Sequence, residues 1–148
     1  MGWVSPTGGS GTDWTDVANA YDENVSSFAY VAAATGWTNY IELTVPPLLC
    51  DKIRFNVRAW YGAISVDVDV YYEDAYHDVY QGTDFTDNTW KEKDVIPGSP
   101  GQAKVVSKMR VRFNRSISTL VKLYEVDFNQ AQSVIPNMMK HYRNMRTK

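Results

Sequence analysis

The stretch SVDVDVYYEDAYHDVY, residues 65 to 80, gathers the side chains of this sequence best suited to acid–base or metal chemistry. Asp67 and Asp69 stand two apart, with Glu73, Asp74, His77 and Asp78 close behind. Paired carboxylates can hold a divalent cation, a hard ion that prefers oxygen ligands. The same spacing also places both on one face of a β-strand, roughly 6–7 Å apart. Val66, Val68 and Val70 alternate with the acids, which points to a half-buried strand with valines inward and aspartates outward. Arg54 and Arg58, and further on Lys108, Arg110 and Arg112, fall in matching phase on the polar sides of two other predicted strands. Cross-strand ion pairs worth ~0.2–1 kcal/mol each then account for acids and bases together.

Just beyond, EDAYHDVYQG brackets a turn with Tyr72, Tyr76, His77 and Tyr80. With Trp60 and Trp90 these make a candidate ligand platform, on which a sugar ring stacks while neighbouring polar groups bond its hydroxyls. The plainer expectation is that the tyrosines close the rim of the fold with their hydroxyls in water. His77 has no second His or Cys at metal-ligand spacing. There is no Gly-x-Ser-x-Gly elbow, phosphate loop or Rossmann glycine pattern, so a non-enzymatic protein is expected.

Period-2 alternation sets out the elements that must position these residues. NYIELTV turns Ile41, Leu43 and Val45 inward and is expected to end at Pro46-Pro47; KIRFNVRAW turns in Ile53, Phe55, Val57 and Ala59. KVVSKMRVRF is predicted to bury Val105, Met109, Val111 and Phe113 and to show Val106. LYEVDF is predicted to bury Tyr124, Val126 and Phe128 and to show Leu123, Glu125 and Asp127. With ISVDVDVYY, YHDVY and TWKEKDV this makes about seven strands, separated by connectors such as PPLLCD, PGSPGQ and NRSIS. Evenly spaced alternating strands without helical patterns between them imply an all-β antiparallel sandwich over residues 17–130. Residues 1–16 read as an irregular arm pinned by Trp3 and Trp14, and FAYVAAA as a strand or a helix start.

Residues 131–148 read as a short basic amphipathic helix, with Ser133 as N-cap and Pro136 in the first turn. Met138, Met139, Tyr142 and Met145 recur at helical spacing opposite Lys140, Arg143 and Arg146. So short a helix is marginal alone, and Met adapts to irregular surfaces, which makes these seven residues the candidate partner-binding face.

At 148 residues the chain suits one domain, and its hydrophobic content of 44% is ordinary for a globular protein. The net charge of −2 hides a segregation: residues 133–148 carry +4 with no acid, leaving −6 on the rest. An acidic body is not the basic face that nucleic acid requires. Cys50 is the single cysteine, so no intrachain disulfide forms, and no apolar run approaches the ~20 residues of a membrane span. The opening Met-Gly lacks the Ser or Thr at position 6 that myristoylation favours, since Pro6 stands there.

Three stretches together resemble the discoidin-like, galactose-binding-like jelly rolls: AYDENVSSFAY with GWTNYIEL, KIRFNVRAW with ISVDVDVYYEDAYHDVYQG, and MRVRFNRS with LYEVDFN. In its compact, cysteine-poor form the chain looks like the members found in tailed-phage virions. That resemblance implies a non-enzymatic capsid decoration or tail-associated display protein on the virion surface. Its partners would be a capsid or tail protein and further copies of itself, for instance in a trimer. The alternative it implies is a carbohydrate-binding module that recognises a cell-surface glycan through loop aromatics. Several members hold a structural calcium in the early Asp/Asn turn, which here corresponds to Asp22 and Asn24, with Glu23 where a glycine is usual. No other cofactor is implied.

Overall fold

The computed structural model describes residues 2–58 and 63–131. Its strands are β1 (Gly2–Val4), β2 (Gly8–Ser10), β3 (Ala29–Trp37), β4 (Ile41–Val57), β5 (Ile64–Tyr72), β6 (Ala75–Gly82), β7 (Trp90–Asp94) and β8 (Lys104–Gln130). A 3-10 turn spans Val17–Tyr21. The predicted C-terminal helix, with Met138, Met139, Lys140, Tyr142, Arg143, Met145 and Arg146, lies outside the described residues, as does Trp60.

Two long strands build both layers of the sandwich. In the first layer Ile41–Thr44 of β4 pairs with Met109, Val111 and their neighbours on β8, and β2, β5 and β6 extend the sheet in the order β2-β4-β8-β5-β6. At Cys50 the partner of β4 changes from Lys104 to Gln130, and Lys52–Asn56 then pairs with Glu125–Asn129 to start the second layer. In each half the partner's number on β8 falls as that on β4 rises, so both pairings are antiparallel. β7 flanks the second layer on the β4 side, and β1 and β3 flank it on the β8 side.

Between the layers sit Ile41, Leu43, Ile53, Phe55, Val66, Val68, Val70, Met109, Val111, Phe113, Val126 and Phe128, all fully buried. Burying one such side chain contributes ~1.5–3 kcal/mol, so this alternating set is what selects the register. Phe55 of the second layer meets Tyr80 of the first at 5.6 Å between ring centroids.

Several sequence expectations are corrected. The first 16 residues are not an irregular arm: β1 pairs with Phe128–Gln130 and β2 with Glu42–Thr44. FAYVAAA lies in strand β3 rather than starting a helix. β4 does not end at Pro46-Pro47; the exposed prolines sit at the register break between Thr44 and Leu48, where a bend needs no ladder donor. NRSIS is likewise part of β8, where the buried Arg115 guanidinium donates to the carbonyls of Ala32 (2.8 Å), Thr119 (3.0 Å) and Gly36 (3.4 Å) and so holds the bend. Register shifts reverse two predicted faces. Val106 is buried while Val105 is exposed, and Leu123 is buried while Tyr124 packs outside against Phe28 at 5.8 Å. A one-residue slip turns every later side chain over, which a continuous period-2 reading misses.

Candidate functional site

On the outer face of the first layer the acidic stretch meets the arginines in direct register, Asp67 opposite Arg112 and Asp69 opposite Arg110. Arg112 Nε donates to Asp67 at 2.9 Å and Arg110 Nε to Asp69 at 2.8 Å. Aromatic rings interleave with the guanidinium groups. Arg112 lies 4.1 Å from the Trp37 ring centroid and 4.6 Å from that of Tyr40, and Arg110 lies 4.1 Å from Tyr40 and 4.0 Å from Tyr76. This cover buries the aspartates, leaving Asp67 4% and Asp69 7% exposed, although they point away from the core. A register shift after Val68 sets Asp78 opposite Asp69. Among the described residues Asp67, Asp69 and Asp78 are the one carboxylate trio whose oxygens fall within 4.8 Å of one another. Burial and the two neighbouring carboxylates hold Asp78 above the usual carboxylate range. With an arginine on each buried aspartate, the arrangement is an ion-pair lattice.

Trp37 ends this ladder and opens onto a cleft of about 550 Å³, walled by Asp13, Asn39 and the small side chains of Ala32, Ala33 and Ala34. Thr38 fixes the wall. Its N–H donates to the Phe113 carbonyl at 2.8 Å, and its hydroxyl accepts from the Phe113 N–H at 3.0 Å. Trp14 Nε1 donates to the Asn39 carbonyl at 2.9 Å, and Asn39 Nδ2 donates to Asp13 at 3.0 Å. Trp37, at 41%, is the one aromatic in the exposed class of large hydrophobic side chains among the described residues. Beside the cleft a second open groove of about 510 Å³ runs past Ser10, Gly11, Thr12, Tyr40 and Glu42. Gly11 is required there, since a Cβ would come within 2.8 Å of the Trp14 ring.

The early turn forms a different kind of site. Asp22 accepts from the Asn24 N–H at 3.0 Å and from the Ser27 hydroxyl at 2.5 Å, and Asn24 Oδ1 accepts from the Ser26 N–H at 2.9 Å. Glu23 adopts a left-handed φ of 61°, a conformation that favours glycine. Glu125 reaches this turn from β8, its Oε1 accepting from Asn24 N–H at 3.3 Å. The residue is 1% exposed and its Oε2 has no partner; Oδ1 of Asn56, its cross-strand neighbour, is also buried without one. Burial and the adjacent Asp22 push the Glu125 carboxyl up to about 8. Buried acceptors without donors are what a cation satisfies.

No family model matches the chain, and no curated protein does. Solved structures do. Chitosan-binding module 1 from a chitosanase/glucanase of Paenibacillus sp. IK-5 superposes with a TM-score of 0.64 at 15% identity, over 84% of this chain and 95% of that one. The CBM32 of AlyQ, solved with 4,5-unsaturated mannuronic acid, gives 0.60 at 16% identity, over 86% and 98%. The family 32 module of Clostridium perfringens NanJ, solved with galactose, gives 0.57 at 10% identity, over 83% and 93%. The fold is the galactose-binding-like jelly roll of these modules. At 10–16% identity the likeness to these modules carries the fold, and the role has to be argued from the site itself. One of them sits beside a catalytic domain, in an AlyQ form with CBM32 and alginate lyase domains.

The jelly roll does not bring the sequence-predicted platform together. Tyr72 and Tyr80, each 9% exposed, are buried, and His77 stacks on Tyr72 at 3.8 Å with its Nε2 3.0 Å from the Tyr72 carbonyl. Tyr76 lies on the opposite side of the same hairpin, against Arg110, with its hydroxyl donating to Glu42 at 2.5 Å. Trp90 belongs to the second layer and, with Trp3, sandwiches Arg54 at 3.9 and 4.4 Å. Trp37, Tyr40, Asp13, Asn39 and Glu125 were missed as site residues. Only the GW before the strand TNYIEL signalled Trp37, and nothing local ties Asp22 to a glutamate 103 positions later.

Proposed function

We propose that this protein is a carbohydrate-binding module that seats a sugar ring on Trp37, with Asp13, Asn39 and Thr15 taking the hydroxyls. The carrying observation is an exposed indole at the mouth of a cleft that already holds an Asp–Asn pair. A pyranose has apolar C–H faces and polar edges, and needs just such a combination of π-face and acceptors. Ala32–Ala34 leave room for close approach, and Arg112 packed against the indole holds it in place before ligand arrives. A charged acceptor such as Asp13 makes stronger hydrogen bonds than a neutral one.

A glycan array followed by calorimetry on the hits tests this reading. Trp37→Ala should weaken every hit at least about tenfold, ~1.4 kcal/mol, in line with loss of a buried aromatic anchor. Binding that survives the substitution unchanged would move the site elsewhere, and an array without hits would remove the function.

Calcium belongs to the same proposal as a structural ion. Asp22, Asn24, Ser27 and Glu125 offer the hard oxygen donors it prefers, and the unpartnered Glu125 Oε2 fits it. The ion would tie the turn to β8, supplying rigidity rather than chemistry. Display on a phage particle remains a proposal about setting, resting on the +4 segment 133–148. Loss of particle attachment on deleting that segment is its test.

A further inference from the structure

The cleft at Trp37 and the groove at Tyr40 are neighbours, divided by the turn at residues 11–13 and joined through the segment 37–42. Thr12 and Tyr40 of the groove directly adjoin Asp13 and Asn39 of the cleft along the chain, which sets the two within reach of one oligosaccharide. The rungs between them are rigid. Arg112 is held between Trp37 and Tyr40 and anchored on Asp67, whose carboxylate also takes the Tyr40 hydroxyl at 3.3 Å. Glu42 is fixed by the Tyr76 hydroxyl. A glycine at position 11 and exposed hydroxyls on Ser10 and Thr12 line the far groove, giving polar contacts without bulk.

Charge restricts what can lie there. Asp13 stands in the cleft and Glu42 in the groove. The arginine lining the cleft, Arg115, spends its guanidinium on three backbone carbonyls, and Arg112 on Asp67. Hydroxyl or amine donors are welcome on such a surface, while carboxylates or sulfates face like charge.

We infer that the protein grips an internal stretch of a neutral or amine-bearing polysaccharide, laid from the Trp37 cleft across the Thr12–Tyr40–Glu42 groove, instead of a single terminal sugar. This rests on the glycan-binding reading above and adds chain length and charge class to it.

The test is calorimetry of the full chain with cello-, chito- and galacto-oligosaccharides of one, three and six units, and with oligouronates of the same lengths. For the preferred neutral or amine-bearing series the six-unit ligand should bind at least about tenfold tighter than the one-unit ligand. Thr12→Trp, which fills the groove, should remove that advantage; Glu42→Gln should reduce it without filling the groove. Equal affinity at one and six units, or an undiminished length dependence in Thr12→Trp, overturns this inference and leaves the binding module standing. Oligouronates that bind as tightly as the neutral series overturn the charge assignment. Absence of binding to every oligosaccharide overturns both readings.

Discussion

Replacing Arg112 with alanine removes the partner of a carboxylate that the fold has taken out of water. Asp67 has a side chain only 6% exposed, and Arg112 one that is 32% exposed. Breaking a fully buried pair costs ~3–5 kcal/mol, because the remaining charge is stranded, whereas a surface pair is worth ~0–1 kcal/mol. The open side of Arg112 lets water reach the stranded Asp67, which favours the lower end, about 3 kcal/mol. Loss of stacking on Trp37 and Tyr40 adds ~0.5–1 kcal/mol. Urea denaturation should therefore show a loss of roughly 3.5–4 kcal/mol for Arg112→Ala. Asp67→Asn combined with Arg112→Ala should recover at least ~2 kcal/mol relative to additivity, since no charge is then stranded. Lys91→Ala is the internal control: its partner Asp84 is 95% exposed, and the change should stay near ~0.5 kcal/mol. An Arg112→Ala loss no larger than the control would refute the buried-lattice reasoning. The same variant should also weaken glycan binding, because the indole loses its backing.

Calcium at 100 times its dissociation constant should stabilise the fold by ~2.7 kcal/mol, a rise in Tm of roughly 5–10 °C, and Glu125→Gln or Asp22→Ala should abolish the rise in a thermal melt. Without divalent cation, Glu125 titrates at about 8 in the fold against 4.5 unfolded, so the native state holds the extra proton between those values. Stability should then fall as pH rises from about 4.5 to about 8 and level off above, and Glu125→Gln should flatten that part of the profile; a profile that rises there contradicts the burial argument. Glu23→Gly should stabilise the protein by up to ~1 kcal/mol in the same melts, because a left-handed φ of 61° is strained for glutamate and free for glycine.

The alternation of valine and aspartate through Val66–Val70 was enough, without coordinates, to set valines in the core and acids outside, because strand side chains repeat every two residues and water rejects one set. The same logic found the inward faces of Ile41–Val45 and Ile53–Val57 and two basic partners of the acidic strand, Arg110 and Arg112, whereas Arg54, expected beside them, pairs with Asp127 in the second layer. What the periodicity could not carry was anything decided by a bulge, a bend or a distant strand. Val105 and Tyr124 changed faces at register shifts, and prolines expected to end β4 lie within it at a bend between layers. Burial of Asp67 and Asp69 follows from rings at positions 37, 40 and 76 folding over them, which depends on strand order and not on neighbours in sequence. The tyrosines and histidine of residues 72–80 share a hairpin, yet a sheet has two sides and the pleat divided them. Asp13 meets Trp37 and Asn39, and Asp22 meets Glu125, across long stretches of sequence, so only closure of the sandwich brings these candidates together.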